Sequence, residues 1–128
     1  MLLWYVALGG ALGGVSRYLL GGLIQRGPGF PVGTLVINVT GSFLVGLFYR
    51  YAAESALISP EMRVFLTIGF CGGYTTFSTF SYETVRLLED GEIARAFAYV
   101  ALSVLASVVA AFLGLAAGRE LLAIQSGG

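Results

Sequence analysis

The sequence contains no lysine and no histidine, and it has a single cysteine, Cys71. Histidine-based proton transfer and metal binding are therefore excluded, as is Schiff-base lysine chemistry. One cysteine rules out an intrachain disulfide and a cysteine metal cage. Charge of both signs is scarce. Only 11% of residues are charged, against roughly a quarter in a soluble domain. Seven arginines balance seven acidic residues, so the basic footprint of a nucleic-acid binder is missing and nucleic acid is not a partner. So little charge cannot cover a water-facing surface. What is present is apolar: 57% of the 128 residues are hydrophobic, with 19 glycines and a mean hydropathy of +0.87. These numbers describe a small all-α integral membrane protein with the lipid bilayer as its surrounding.

The few charges mark out the spans. Stretches 1–16, 27–49, 64–82 and 96–118 carry none. A bilayer core takes roughly 20 apolar helical residues. The pattern predicts four transmembrane helices near 2–25, 32–52, 62–88 and 93–121, forming a single domain over 1–128. The turns between them have suitable chemistry. Arg26-Gly27-Pro28-Gly29-Phe30-Pro31 breaks helix. Ser59-Pro60-Glu61 reads as N-cap, first-turn proline and an acid near the positive helix end. Glu89-Asp90-Gly91-Glu92 is a tight polar turn. Residues 1–16 lack the positive region of a cleaved signal, so they are read as helix 1.

Arginine normally accumulates in cytoplasmic loops and fixes orientation. Here one side would hold Arg50, Arg63 and Arg119, and the other Arg26, Arg86 and Arg95, with Arg17 near the latter. The balance predicts dual topology, with copies inserted both ways and paired as an antiparallel homodimer. A second copy would also supply partners for polar groups that four helices alone have little interior to hold.

Two polar stripes lie inside the spans. Thr34, Asn38 and Ser42 follow one another at i, i+4, i+8, and so do Tyr99, Ser103 and Ser107. Each trio occupies one helical face. Such stripes serve either as glue between helices or as the lining of a wet path. Hydroxyls and the Asn amide donate hydrogen bonds without charge. They suit an anion that must shed water and leave again, because conduction needs weak binding at several sites.

Helix 1 carries overlapping GxxxG pairs, Gly9/Gly13 and Gly10/Gly14, which let backbones approach closely. Arg17 follows on the same face. A guanidinium at that depth costs roughly 2.5–3.5 kcal/mol on insertion scales, so it is either structural or part of an electropositive vestibule. Helix 3 places Gly72, Gly73, Thr75 and Thr76 at its middle, which predicts a break. Carbonyls freed at membrane depth need protein, water or an ion. On a two-fold axis, carbonyls of two chains would meet and hold a hard cation; otherwise the feature is a kink without an ion. Phe77 and Phe80 follow at i, i+3. They are either core or a pair whose positive ring edges meet an anion.

The string Gly72-Gly73-Tyr74-Thr75-Thr76-Phe77-Ser78-Thr79-Phe80 resembles the GGxTTFSTF signature of the Fluc (CrcB) fluoride channels. Gly33-Thr34-Leu35 through Asn38 to Gly41-Ser42-Phe43 resembles that family's second-helix motif, and Gly10 to Gly14 with Arg17-Tyr18 its first. Tyr74 and Ile37 depart from the residues usual there. The resemblance implies an antiparallel dual-topology homodimer in a prokaryotic cytoplasmic membrane, with two fluoride pores. It implies a phenylalanine box at Phe77 and Phe80, a pore asparagine at Asn38, and a polar track of Thr34, Ser42, Tyr99, Ser103 and Ser107. It further implies a structural sodium ion held by the Gly72 and Thr75 carbonyls of both chains, and charged positions at Arg17 and Glu83.

Two other functions fit the size. A small dual-topology multidrug exporter needs an acid in an early helix to exchange protons, and none precedes Glu54. A non-transporting assembly subunit has no use for two donor stripes. An enzyme is not expected, since no nucleophile–base pair is visible.

Overall fold

Six α-helices and one π-helical stretch build the chain in a computed structural model that describes residues 1–127. They are α1 (Leu2–Ile24), α2 (Val32–Glu54), α3 (Pro60–Val64), the π-helical Phe65–Cys71, α4 (Gly72–Tyr74), α5 (Phe77–Glu89) and α6 (Ile93–Gly127). There is no strand among the described residues. Three helices, α1, α2 and α6, are each long and apolar enough to cross a membrane. The helix expected from the sequence near 62–88 is divided here into shorter pieces over 60–89.

The start of that composite follows the sequence closely. Pro60 takes the first turn, and the Ser59 hydroxyl accepts from the Met62 N–H at 3.1 Å. The other bounds shift modestly. α2 continues to Glu54, past the expected 52, and α6 runs to Gly127 rather than 121. The added turns of α6 are tied down at their end. Gln125 accepts from the Ser55 hydroxyl at 3.3 Å and donates to the Tyr51 hydroxyl at 3.0 Å.

Glycine sets the packing. α1 lies against the π-helical stretch and α4, while α2 lies along α6. A Cβ at Gly13 would collide with the Phe70 carbonyl, and one at Gly114 with the Phe43 carbonyl. Main chains meet where side chains would otherwise separate them, as the GxxxG reading requires for α1.

The interior is thin, and it includes Ile37, Cys71, Tyr74, Leu87 and Tyr99. Large apolar side chains point outward along α1 and α6, among them Trp4, Leu8, Leu19, Phe97, Leu105 and Phe112. An outer surface this apolar is incompatible with water and calls for lipid or protein cover.

The interruption in the third segment falls at the threonines. Gly72 and Gly73 are helical within α4. Thr75 (φ −86°, ψ 158°) and Thr76 (φ −150°, ψ 119°) are extended. The glycines serve contact instead: a Cβ at Gly73 would press on the Gly10 carbonyl at 2.5 Å. The threonines turn the chain because their side chains bond the backbone locally. Thr75 Oγ1 donates to the Cys71 carbonyl at 2.9 Å. The Thr76 hydroxyl accepts from the Thr79 N–H at 3.2 Å and so caps α5.

Candidate functional site

At the start of α5 a groove of about 380 Å³ opens on the protein surface. Three elements build it. α2 contributes Asn38 and Ser42, one turn apart; α6 contributes Ser103 and Ser107 at the same spacing; α5 contributes Phe77 and Phe80. Thr75 and Thr76 form its end at the interruption. Val45, Val104, Val108 and Ala111 complete the wall. The surface is thus apolar with a few neutral donors.

The two rings stand 5.6 Å apart, tilted by 46°. Phe77 is 77% exposed and forms the open side. Ser103 is the reverse, 7% exposed, and its hydroxyl has no hydrogen-bond partner among the described residues. A buried hydroxyl without a partner is costly, and this one faces the groove.

Asn38 commits one of its two Nδ2 hydrogens and its Oδ1 to the backbone. Its Nδ2 donates to the Thr76 carbonyl at 3.0 Å, and its Oδ1 accepts from the Thr76 N–H at 2.9 Å. The side-chain amide replaces the helical partner that the Thr76 N–H loses at the interruption and adds a donor to its carbonyl. It lines the groove while holding that segment in place.

Thr34 and Tyr99 do not line the groove. Both are drawn to Glu83, which accepts from the Thr34 hydroxyl at 3.0 Å and from the Tyr99 hydroxyl at 2.8 Å. Tyr99 is fully buried, with its ring 5.1 Å from that of Phe80. The continuous polar track expected from the sequence therefore divides. Ser42, Ser103 and Ser107 face the groove, and Thr34 and Tyr99 solvate a carboxylate beyond it.

A second cavity, of about 200 Å³, lies behind the interruption. Arg17, Gln25, Thr34, Thr76, Thr79 and Glu83 line it. Thr76 borders both cavities, so the Asn38–Thr76 pair stands between them. Arg17 Nε donates to the Gly73 carbonyl at 3.3 Å. A cation at the C-terminal end of a short helix answers the negative end of its dipole. Arg17 thus makes a bond to the backbone and shares the second cavity with Glu83.

The carbonyls at the interruption are unequally served. Cys71 accepts from Thr75, Gly73 from Arg17 and Thr76 from Asn38. The donors that a helix would send to Gly72 and Thr75 go elsewhere: Thr76 N–H to Asn38 and Thr79 N–H to the Thr76 hydroxyl. Among the described residues no group of three acidic, Cys or His side chains is placed to hold a metal. Backbone oxygens are the donors a cation would find here.

Some contributors are not visible in the sequence motifs. Gln25 donates to the Gly27 and Phe30 carbonyls and accepts from the Gly33 N–H. Tyr74, buried and stacked on Phe70 at 5.6 Å, shares a 2.9 Å hydrogen bond with the Thr40 hydroxyl. The only hint of Gln25 was an amide directly before a Gly/Pro breaker.

A family model described as CrcB-like protein, Camphor Resistance (CrcB), matches residues 4–115. The chain belongs to the CrcB family. Among curated CrcB relatives, the "Fluoride-specific ion channel FluC" of Geotalea uraniireducens is 50% identical over 91% of this chain and 96% of its own. The protein of the same name from Geobacter metallireducens is 52% identical over 91% and 95%. That from Rhizobium meliloti is 52% identical over 91% and 94%. With three helices able to span a bilayer, this CrcB chain is an integral membrane protein.

Proposed function

We propose that this CrcB chain is a fluoride channel that lets the anion leave the cytoplasm passively. The observation that carries the reading is the groove. Two phenylalanine rings face neutral hydroxyls there, one of them the buried and unpartnered Ser103. Its relatives' name, fluoride-specific ion channel, supports the same substrate.

The chemistry follows from the lining. Fluoride is a small, strong hydrogen-bond acceptor. Ser42, Ser103 and Ser107 offer donors that take over part of its hydration without a fixed positive charge. Phe77 and Phe80 present polarised C–H edges, which meet an anion weakly and release it. A narrow apolar wall excludes larger, softer anions. The driving force needs no coupling. Weak acid HF enters from acidic surroundings, dissociates in a more neutral cytoplasm and leaves fluoride trapped. The membrane potential then drives the anion out.

The working unit is an antiparallel homodimer of dual topology, in a prokaryotic cytoplasmic membrane, with two fluoride paths. Balanced arginines support the orientation. The groove's open side at Phe77 supports a second chain as the missing wall. A structural sodium ion at the dimer centre would be held by the Gly72 and Thr75 carbonyls, which accept no bond from outside their helices among the described residues. When bound, the ion supplies a positive centre that fixes the two interrupted segments; it is not cargo. Efflux from liposomes holding purified protein tests the function. Fluoride should leave on addition of a potassium ionophore while chloride stays, and equal leakage of both anions would refute the reading.

A further inference from the structure

The segment 25–31 between α1 and α2 is a short strap that faces the end of α5 and meets α6 through Phe30 and Tyr99. It contains no helix, and Gly29 adopts φ +124°, a conformation that favours glycine. The side-chain hydrogen bonds to 27–30, among the described residues, come from Gln25. Its Nε2 reaches the Gly27 carbonyl at 2.8 Å and the Phe30 carbonyl at 3.3 Å, while its Oε1 takes the Gly33 N–H at 2.9 Å. One amide therefore closes the strap and caps the start of α2.

The strap carries one large apolar group, Phe30. Its ring meets Tyr99 edge to face, with centroids 5.6 Å apart at 82°. Phe30 joins Leu35 and Phe80 around the buried cluster of Leu87, Ala96 and Tyr99. This cluster lies where the groove ends. Ser103 faces the groove, whereas Tyr99, one turn nearer the strap, is fully covered. On the far side a cavity of about 260 Å³ opens between the strap and the end of α5, with Gln25, Glu83, Arg86 and Asp90 in its wall. An apolar plug thus separates the groove from that mouth, and the strap is its outermost part.

We propose that the strap 25–31, latched by Gln25, closes the fluoride path at this mouth, and that Phe30 leaves Tyr99 for an ion at Ser103 to exit. The inference rests on the channel reading above. Gln25 is a positioning residue, acting through Phe30. The hydroxyl of Tyr99 is already directed at Glu83, so what bars the way is the ring contact and not a bond across the path. Glycines at 27 and 29, with open space around both, give the strap room to swing.

The test compares fluoride and chloride efflux per folded protein in liposomes for wild type, Phe30→Ala and Gln25→Leu, together with amide hydrogen exchange of 27–33. Fluoride efflux should rise several-fold in both variants with chloride still excluded, because the groove is untouched. Exchange should quicken in Gln25→Leu. A conducting wild type with both variants at its own rate would overturn the closure alone, as would unchanged exchange in Gln25→Leu. A wild type without fluoride efflux would overturn the channel reading and the closure with it. Should either variant fail to fold, Phe30→Leu, which keeps the latch and the apolar bulk but loses the ring edge, carries the same test with a smaller rise.

Discussion

The side-chain amide of Asn38 pairs with both backbone groups of Thr76, at 3.0 and 2.9 Å, as a second peptide would. In lipid an unpaired N–H or C=O has no water to turn to. This pair is therefore what allows the chain to leave helical geometry at Thr75 and Thr76 between two cavities. Asn38→Asp removes the donor and sets an oxygen against the Thr76 carbonyl. It also puts negative charge beside the groove. Fluoride efflux should fall to background. Asn38→Leu leaves the Thr76 N–H without a partner, while the Thr76 carbonyl keeps its place at the start of α5, and should lower stability by about 1–3 kcal/mol. Thermal unfolding in detergent measures that loss. An Asn38→Leu protein as stable as wild type would show that the pair is dispensable.

Phe77 and Phe80 separate packing from ion contact. Replacing either with Ile keeps an apolar side chain, so repacking should cost no more than about 1.5–3 kcal/mol. The polarised ring edges are lost. Fluoride efflux should collapse while the protein still purifies intact. Phe→Met, with an adaptable thioether, should retain an intermediate rate. Near-normal efflux through both Ile variants would make the rings ordinary wall. Phe77, 77% exposed in one chain, is the more telling position, because it has little packing to lose within its own protomer.

Much of this site was legible because it rests on local spacing. Phe77 and Phe80 share a face at i, i+3, and Ser103 and Ser107 share one at i, i+4; each pair stays together in the fold. The Ser59 cap and Pro60 start were legible for the same reason. The bond that Tyr99 and Thr34 share was not legible, because their partner, Glu83, lies on another helix. Hydrogen bonding to that carboxylate takes precedence over the stripe. The interruption was expected over the glycines and threonines of 72–76, and it falls on the threonine pair. Tertiary contact decides between them: Gly73 is needed against Gly10, and the threonines bond the backbone locally. Gln25 had no signal beyond its place before a turn.

Dual topology has a direct readout. Cys71, the native thiol, is buried, so a cysteine introduced as Glu92→Cys in the third loop reports by itself. In sealed vesicles it should react with impermeant reagent partly from outside and partly only after permeabilisation. Labelling from one side alone would overturn the antiparallel dimer. Adding two lysines to the same loop should bias insertion and remove efflux until an oppositely biased copy is supplied.

Sodium should matter for assembly and should not travel with fluoride. If the Gly72 and Thr75 carbonyls hold it, exchanging sodium for a bulky organic cation during purification should slow fluoride efflux and loosen the dimer. Readdition should restore both. Fluoride and sodium fluxes should not scale in fixed ratio, since an ion on a central axis need not travel. A fixed ratio measured with radioactive sodium would make the cation cargo.

Ser103 offers the sharpest separation of folding from function. Its hydroxyl is buried, faces the groove and has no partner among the described residues. An unsatisfied buried hydroxyl opposes folding, and removing it relieves a desolvation cost of about 1–3 kcal/mol, offset by the small void that remains. Ser103→Ala should therefore be at least as stable as wild type. If the hydroxyl is kept to solvate a passing anion, the same change should lower fluoride efflux strongly. Ser103→Thr keeps the donor and should retain more of the rate, at some cost in packing. A residue that only packs gives the opposite result, with unchanged efflux and no gain in stability. Efflux and thermal unfolding, measured on one preparation of each variant, distinguish the two. An Ala variant with wild-type efflux would remove Ser103 from the path and leave Ser42 and Ser107 as the groove's donors.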